Sequence, residues 1–107
     1  FDAGSANLNG DTFPSLLALA QFLGQNLKQS VVLVGHTDSS GSPDKNMKLS
    51  KQRAKAVQAM LLAKFPDIKS ERVSYQGIGY LAPVASNATH EGREINRRVE
   101  VIIAPEK

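Results

Sequence analysis

Apolar residues in this chain recur with two different periods, and the switches between them mark its elements. Phe13, Leu16, Leu17, Ala20, Leu23 and Leu27 keep the three-and-four spacing of a helix with one buried face. The breaker cluster Asn9-Gly10-Asp11-Thr12 precedes them, offering Asp11 or Thr12 as cap and Pro14 for the first turn, and Asn26 to Ser30 carries the chain out. Val31 to Gly35 is a continuous β-branched and apolar run, the pattern of a central strand covered on both sides. The segment Ser39-Ser40-Gly41-Ser42-Pro43-Asp44 then reads as a loop. Asn46 is the expected cap of a second helix reaching about Phe65, with Leu49, Ala56, Val57, Met60 and Leu61 facing inward.

Arg72 to Gln76 alternates as a strand does, and Gly77-Ile78-Gly79 breaks it with a tight turn. Tyr80 to Glu94 reads as a polar loop, with or without a short helix. Arg97 to Ile103 reads as a last strand whose Val99, Val101 and Ile103 share one face. Phe1 to Leu8 looks like the end of a truncated strand running into a turn. Strands and helices that alternate in this way predict an α/β fold, a two-layer α/β sandwich of β-α-β-α-β type with a mixed sheet.

A length of 107 residues suits a single domain over 1–107, and the opening on Phe1-Asp2 reads as the start of a piece excised from a longer protein. Apolar residues make up 41% and charged residues 21%, so neither disorder nor a fibrous repeat is expected. The absence of cysteine removes disulfides, thiolate metal sites and thiol nucleophiles together. The longest apolar stretch, Ser15 to Gly24, is shorter than the twenty or so residues that span a bilayer. A net charge of +3 favours an anionic partner without selecting one.

Asp38 and Arg53 stand out as candidate chemistry. A strand that delivers a carboxylate at its C-terminal end, followed by a helix that delivers a guanidinium from its early turns, sets opposite charges around one small pocket suited to a zwitterion. Asn46 and Arg53 are two helical turns apart, so they project on nearly one line, with Leu49 and Ser50 on either side. First-turn amides near Asn46 would add a favourable partial positive charge. The competing reading is a plain salt bridge fastening loop to helix, and the pair alone does not decide between the two.

Other chemistries find less support. His36 beside Asp38 and nearby serines lacks the geometry of a hydrolytic triad, and it reads instead as a hydrogen-bonded structural histidine, with His90 exposed. Two distant histidines and no cysteine give no metal site, and Gly77-Ile78-Gly79 lacks the rest of a phosphate-binding glycine pattern. No cofactor is expected. Lys48, Lys51, Arg53 and Lys55 charge the second helix, but aromatics are only 6% and Phe13, Phe22 and Phe65 read as core, which argues against nucleic acid. Most of those lysines read as a solvated face. Arg97 and Arg98 point to opposite faces, so at most one should reach the pocket while the other braces the fold.

Gly35-His36-Thr37-Asp38, Asn46-x-x-Leu49-Ser50-x-x-Arg53-Ala54, Gly77-x-Gly79, Pro83, Asn87-x-Thr89, Gly92-Arg93 and Asn96-Arg97-Arg98-Val99-Glu100 together resemble the OmpA-like C-terminal domain family. Peptidoglycan-associated lipoproteins and flagellar stator proteins belong to the same family. The resemblance covers nearly the whole chain, since Phe1-Asp2-x-Gly4-Ser5-Ala6-x-Leu8 is similar to the family's first strand and turn.

The resemblance implies a non-enzymatic domain that binds peptidoglycan through the diaminopimelate of the stem peptide. Asp38 and Arg53 match the principal ligand contacts, and Phe1, Asp2, Thr37, Asn46, Leu49 and Arg97 match positions in or beside the pocket. It also implies a periplasmic location, with the parent protein held in the outer or inner membrane by its other parts, and leaves room for a homodimer. The loop from Ser39 to Lys45 departs from the pattern at the pocket rim. The alternative function is a protein-interaction module of the envelope that docks through Tyr80 to Arg93.

Overall fold

The computed structural model describes residues 12–39, 41–81 and 85–104. Along the chain run α1 (Thr12–Gln25), β1 (Ser30–Gly35), α2 (Pro43–Lys64), a 3-10 turn (Ser70–Arg72), β2 (Val73–Gly77), α3 (His90–Asn96) and β3 (Val99–Ala104). The sheet has the order β2-β1-β3, with β1 parallel to β2 and antiparallel to β3, which is the expected mixed sheet. Parallel neighbours need a crossover, and α2 supplies it.

Register places Val31, Leu33 and Gly35 on one face with Val73, Tyr75 and Gly77 of β2 and with Val99, Val101 and Ile103 of β3. Both long helices cover that face. Leu16, Leu19 and Leu23 of α1 and Ala54, Val57 and Leu61 of α2 form one buried cluster with Val31, Leu33 and Val73. Phe22, Met60, Phe65, Tyr75 and Val99 pack partly buried against it. The core stops at Val99: Val101 and Ile103 share its face yet are 46% and 55% exposed.

The buried stripe of α1 differs from the expected one. Leu19 is buried, whereas Leu17 is 38% and Leu27 is 76% exposed. Leu17 sits one position off the stripe of Leu16, Leu19, Ala20 and Leu23, and α1 ends at Gln25, so Leu27 falls in the turn beyond it. The expected cap Asp11 and the side chain of Phe13 lie outside the described residues. Arg72, expected as the first strand residue, instead closes the 3-10 turn and fastens the end of α1. Its guanidinium donates to the carbonyls of Leu23 (3.0 Å), Asn26 (2.7 Å) and Gln29 (3.0 Å), satisfying acceptors that a helix end leaves open.

A notch in the sheet sets the depth of α2. Gly35 and Gly77 face each other across the β1–β2 pair. A Cβ on Gly35 would run into the Ser50 carbonyl, and one on Gly77 into the Lys51 amide and the Ser50 hydroxyl. The backbone of α2 therefore crosses directly over the strand ends. Ser50 Oγ sits in the notch, donating to Met47 O (2.8 Å) and accepting from Gly79 N (2.9 Å). Among the described residues no helix is long and apolar enough to cross a membrane.

Candidate functional site

Beyond Gly35 the chain leaves the sheet while still held on both sides. His36 N donates to Arg98 O (2.7 Å) and Thr37 N to Gly79 O (2.8 Å), so the segment that ends in Asp38 is clamped between the approach to β3 and the exit from β2. His36, Thr37 and Asp38 are all buried. A short side chain on so fixed a backbone loses little freedom when it engages a partner.

The second wall comes from α2. Its helix begins earlier than expected, at Pro43, capped by Ser42, whose hydroxyl accepts from Lys45 N (3.3 Å). Ser42-Pro43-Asp44 carries that signal: a hydroxyl cap, proline in the first helical position and an acid in the first turn. Asn46 is therefore inside the helix and not its cap, and its amide is spent on Ser42 O (3.0 Å). The expected help from free first-turn amides at Asn46 does not hold.

Along its inner side α2 changes character. Asn46, Ser50 and Arg53 are buried in its first half, and Ala54, Val57 and Leu61 in its second. The polar half lies beyond the strand ends and the apolar half over the core. Arg53 follows one turn after the Ser50 contact and is 0% exposed, with Nη1 donating to His36 O at 3.0 Å. A buried guanidinium keeps its charge at a cost. Burial, then the neighbouring Arg97, lowers the Arg53 pKa to about 10 against the opposing pull of Asp38, so the group stays protonated at neutral pH.

Arg97 closes the arrangement. It caps the C-terminus of α3 instead of opening the last strand, and its Nη1 lies 2.6 Å from Asp38 Oδ2, with both side chains buried. Asn96 is fully buried and ties the chain before α3 in place, pairing with both the amide and the carbonyl of Ala85 and donating to Asn87 Oδ1 (2.8 Å). Thr89 caps α3 through Gly92 N. Arg98 turns the other way, to Glu100, with Nε to Oε1 at 2.8 Å.

These elements enclose a cavity of about 440 Å³. Thr37, Asp38, Asn46, Leu49, Arg53 and Arg97 all line it, so six of the eight expected site residues meet in one place. Phe1 and Asp2 lie outside the described residues. Lys45, Lys48 and Gln52 also line the cavity and were not among the expected site residues, although their spacing along α2 puts them on the flank of the Asn46 to Arg53 line. Lys48, expected on a solvated face, is both exposed and at the rim.

Three buried charges share this wall: the guanidinium groups of Arg53 and Arg97 and the carboxylate of Asp38. Among the described residues positive charge is in excess there, which suits an anionic group in the ligand. Thr37 Oγ1 is buried beside them with no hydrogen-bond partner among the described residues. A buried hydroxyl without a partner is uncommon and is free to meet a ligand.

His36 departs from expectation. Neither ring nitrogen has a hydrogen-bond partner among the described residues, and Nε2 is 3.6 Å from Glu100 Oε1, beyond ordinary hydrogen-bond reach. Burial, then Arg98, depresses its pKa below the usual value, against Glu100, so the imidazole is neutral at pH 7. Its carbonyl, not its ring, serves the site by accepting from Arg53. His90 is exposed, as expected, at the start of α3.

The sequence pattern of the OmpA family matches residues 1–97. The chain is 41% identical over 105 residues to the probable lipoprotein YiaD of Escherichia coli (strain K12), a match that covers 98% of this chain and 47% of that protein. It is 44% identical over 73 residues to the peptidoglycan-binding protein ArfA of Mycobacterium bovis, covering 68% of this chain and 22% of that one. The chain thus spans less than half the length of either relative. The crystal structure of the peptidoglycan-associated lipoprotein from Burkholderia pseudomallei superposes with a TM-score of 0.88 at 24% identity, covering 97% of this chain and 86% of the other, and so shares the fold.

Proposed function

The chain belongs to the OmpA family, and on that footing we propose that it binds peptidoglycan without covalent chemistry, gripping the diaminopimelate head of the stem peptide. The single observation that carries this reading is the cavity in which buried Arg53 and Arg97 flank Asp38. The free end of diaminopimelate presents a carboxylate and an ammonium on one carbon, and such a head needs one fixed cation and one fixed anion at close range. The relative that is named for binding peptidoglycan supports the same ligand class.

Arg53 takes the carboxylate through paired hydrogen bonds, a geometry that fixes orientation as well as charge. Asp38 takes the ammonium. An ionised carboxylate has roughly four acceptor sites, so the Arg97 contact does not exhaust it. Thr37 Oγ1 and Asn46 supply further polar contacts, and Leu49 packs against the methylene chain that leads to the head. Arg97 holds Asp38 in position. The family resemblance implies a place in or beside the pocket for Phe1 and Asp2 as well.

In this reading the domain works in the periplasm and tethers a parent protein, whose other parts supply the membrane attachment, to the cell wall. Co-sedimentation with purified sacculi tests it. Wild-type protein is retained, folded Asp38→Ala and Arg53→Ala variants are not, and free diaminopimelate competes. Equal retention of both folded variants would refute the pocket.

A further inference from the structure

The rim of the cavity carries more positive charge than a diaminopimelate head can use. Lys45, Lys48, Arg53 and Arg97 line it together with one carboxylate, Asp38, among the described residues. Adding Asp2, which the family resemblance places beside the pocket, still leaves cations in excess. The head itself is a zwitterion with no net charge. Arg53 and Asp38 answer its two groups, and Arg97 is engaged by Asp38. The two lysines remain on the exposed side of the same cavity, three residues apart on α2 and so on one face of the helix. The only acid of α2, Asp44, is not among the described residues that line the cavity.

We infer that Lys45 and Lys48 form a second anionic subsite, which recognises a free carboxylate on the residue next to diaminopimelate in the stem peptide. This rests on the reading above and sharpens it from a recognised head to a recognised peptide. A glutamate joined through its side-chain carboxyl keeps its α-carboxylate free, one residue away from the head. Amidation would remove that charge and replace it with an amide that also donates hydrogen bonds. The domain therefore discriminates between free-acid and amidated cell walls. Gln52, also on the lining, contacts either form and does not discriminate.

Calorimetry with three synthetic tripeptides tests the inference: the free acid, the same peptide amidated at the glutamate α-carboxyl, and the same peptide amidated at its C-terminus. Wild-type protein is expected to bind the free acid roughly fivefold or more tightly than the glutamate amide, as two partly exposed ion pairs would give. The preference shrinks with added salt, because exposed pairs are screened. In a Lys45→Gln/Lys48→Gln variant the preference disappears while binding of the glutamate amide persists. Equal binding of free acid and glutamate amide by wild type, a preference that survives in the variant, or discrimination by the C-terminal amide alone would overturn the subsite while leaving the diaminopimelate reading intact. Failure to bind any of the three peptides would overturn both.

Discussion

Arg97 reaches across the end of the sheet to hold the carboxylate of Asp38 at 2.6 Å, with both side chains largely buried. Arg97, expected in or beside the pocket, is thus a direct neighbour of the candidate ligand anchor, reached from the end of α3 and not from the last strand. Removing one member of a buried ion pair strands the other in a poor dielectric. Arg97→Met is expected to destabilise the domain by about 3 to 5 kcal/mol, read as a lowered urea midpoint. A midpoint shift near zero would show that the pair contributes no net stability.

Arg53→Lys separates charge from geometry. The ammonium keeps the positive charge but cannot make two parallel hydrogen bonds to one carboxylate. Binding to sacculi should weaken at least about tenfold, the loss of one charge-assisted bond, while circular dichroism stays that of the wild type. Undiminished binding would mean that charge alone suffices.

Gly35→Ala tests the notch. The added methyl meets the helix backbone at Ser50, where no side chain can swing aside. A destabilisation of about 1 to 3 kcal/mol or more is expected. Affinity should fall with it, because Arg53 hangs one turn beyond the displaced contact. Retained affinity in a folded variant would show that the depth of α2 does not set the site.

Arg72→Met serves as a counterpart remote from the cavity. It deletes three bonds to carbonyls in the last turn of α1 and the turn that follows it, and should lower stability by roughly 1 to 3 kcal/mol. Retention on sacculi by the folded fraction should not change. A drop in retention would link α1 to the site.

His36 predicts a pH dependence with a definite sign. Its folded pKa lies below the ordinary 6.5, so the unfolded chain takes up the proton first as pH falls. Stability is therefore full above pH 6.5 and declines below it until the folded pKa is passed. Glu100, held below its usual 4.5 by the hydrogen bond from Arg98, adds a further decline in the more acidic range. Urea midpoints at several pH values for wild type and His36→Gln check this. The first decline should vanish in the variant, and an unchanged profile would clear His36 of the effect.

Much of this arrangement is legible in the chain. The run from Val31 to Gly35 announces the central strand, because local periodicity governs it, whereas the Asp38 and Arg53 pair points to a shared pocket only together with the ordered family motif. Leu17 falls off the buried stripe because one helical turn offers more apolar positions than the stripe needs and only the packing partner selects among them, and Leu27 because the helix stops at Gln25. Arg72 reads as strand because alternation begins there, yet its contacts are with the end of α1 and the turn after it, across more than forty residues. The start of α2 was visible in Ser42-Pro43-Asp44 but was outweighed by loop-forming composition. His36 illustrates a further limit: residue type suggests a bonded ring, whereas the backbone carbonyl is what the site uses.

Asp38 is fastened by the strands and Arg53 by the glycine notch, so neither depends on the stretch of chain that joins them. That stretch, between Asp38 and Ser42, is consequently open to lengthening or rewriting without moving the two anchors. Changes there can reshape the margin of the cavity around Gly41 while the two opposed charges beneath keep their places.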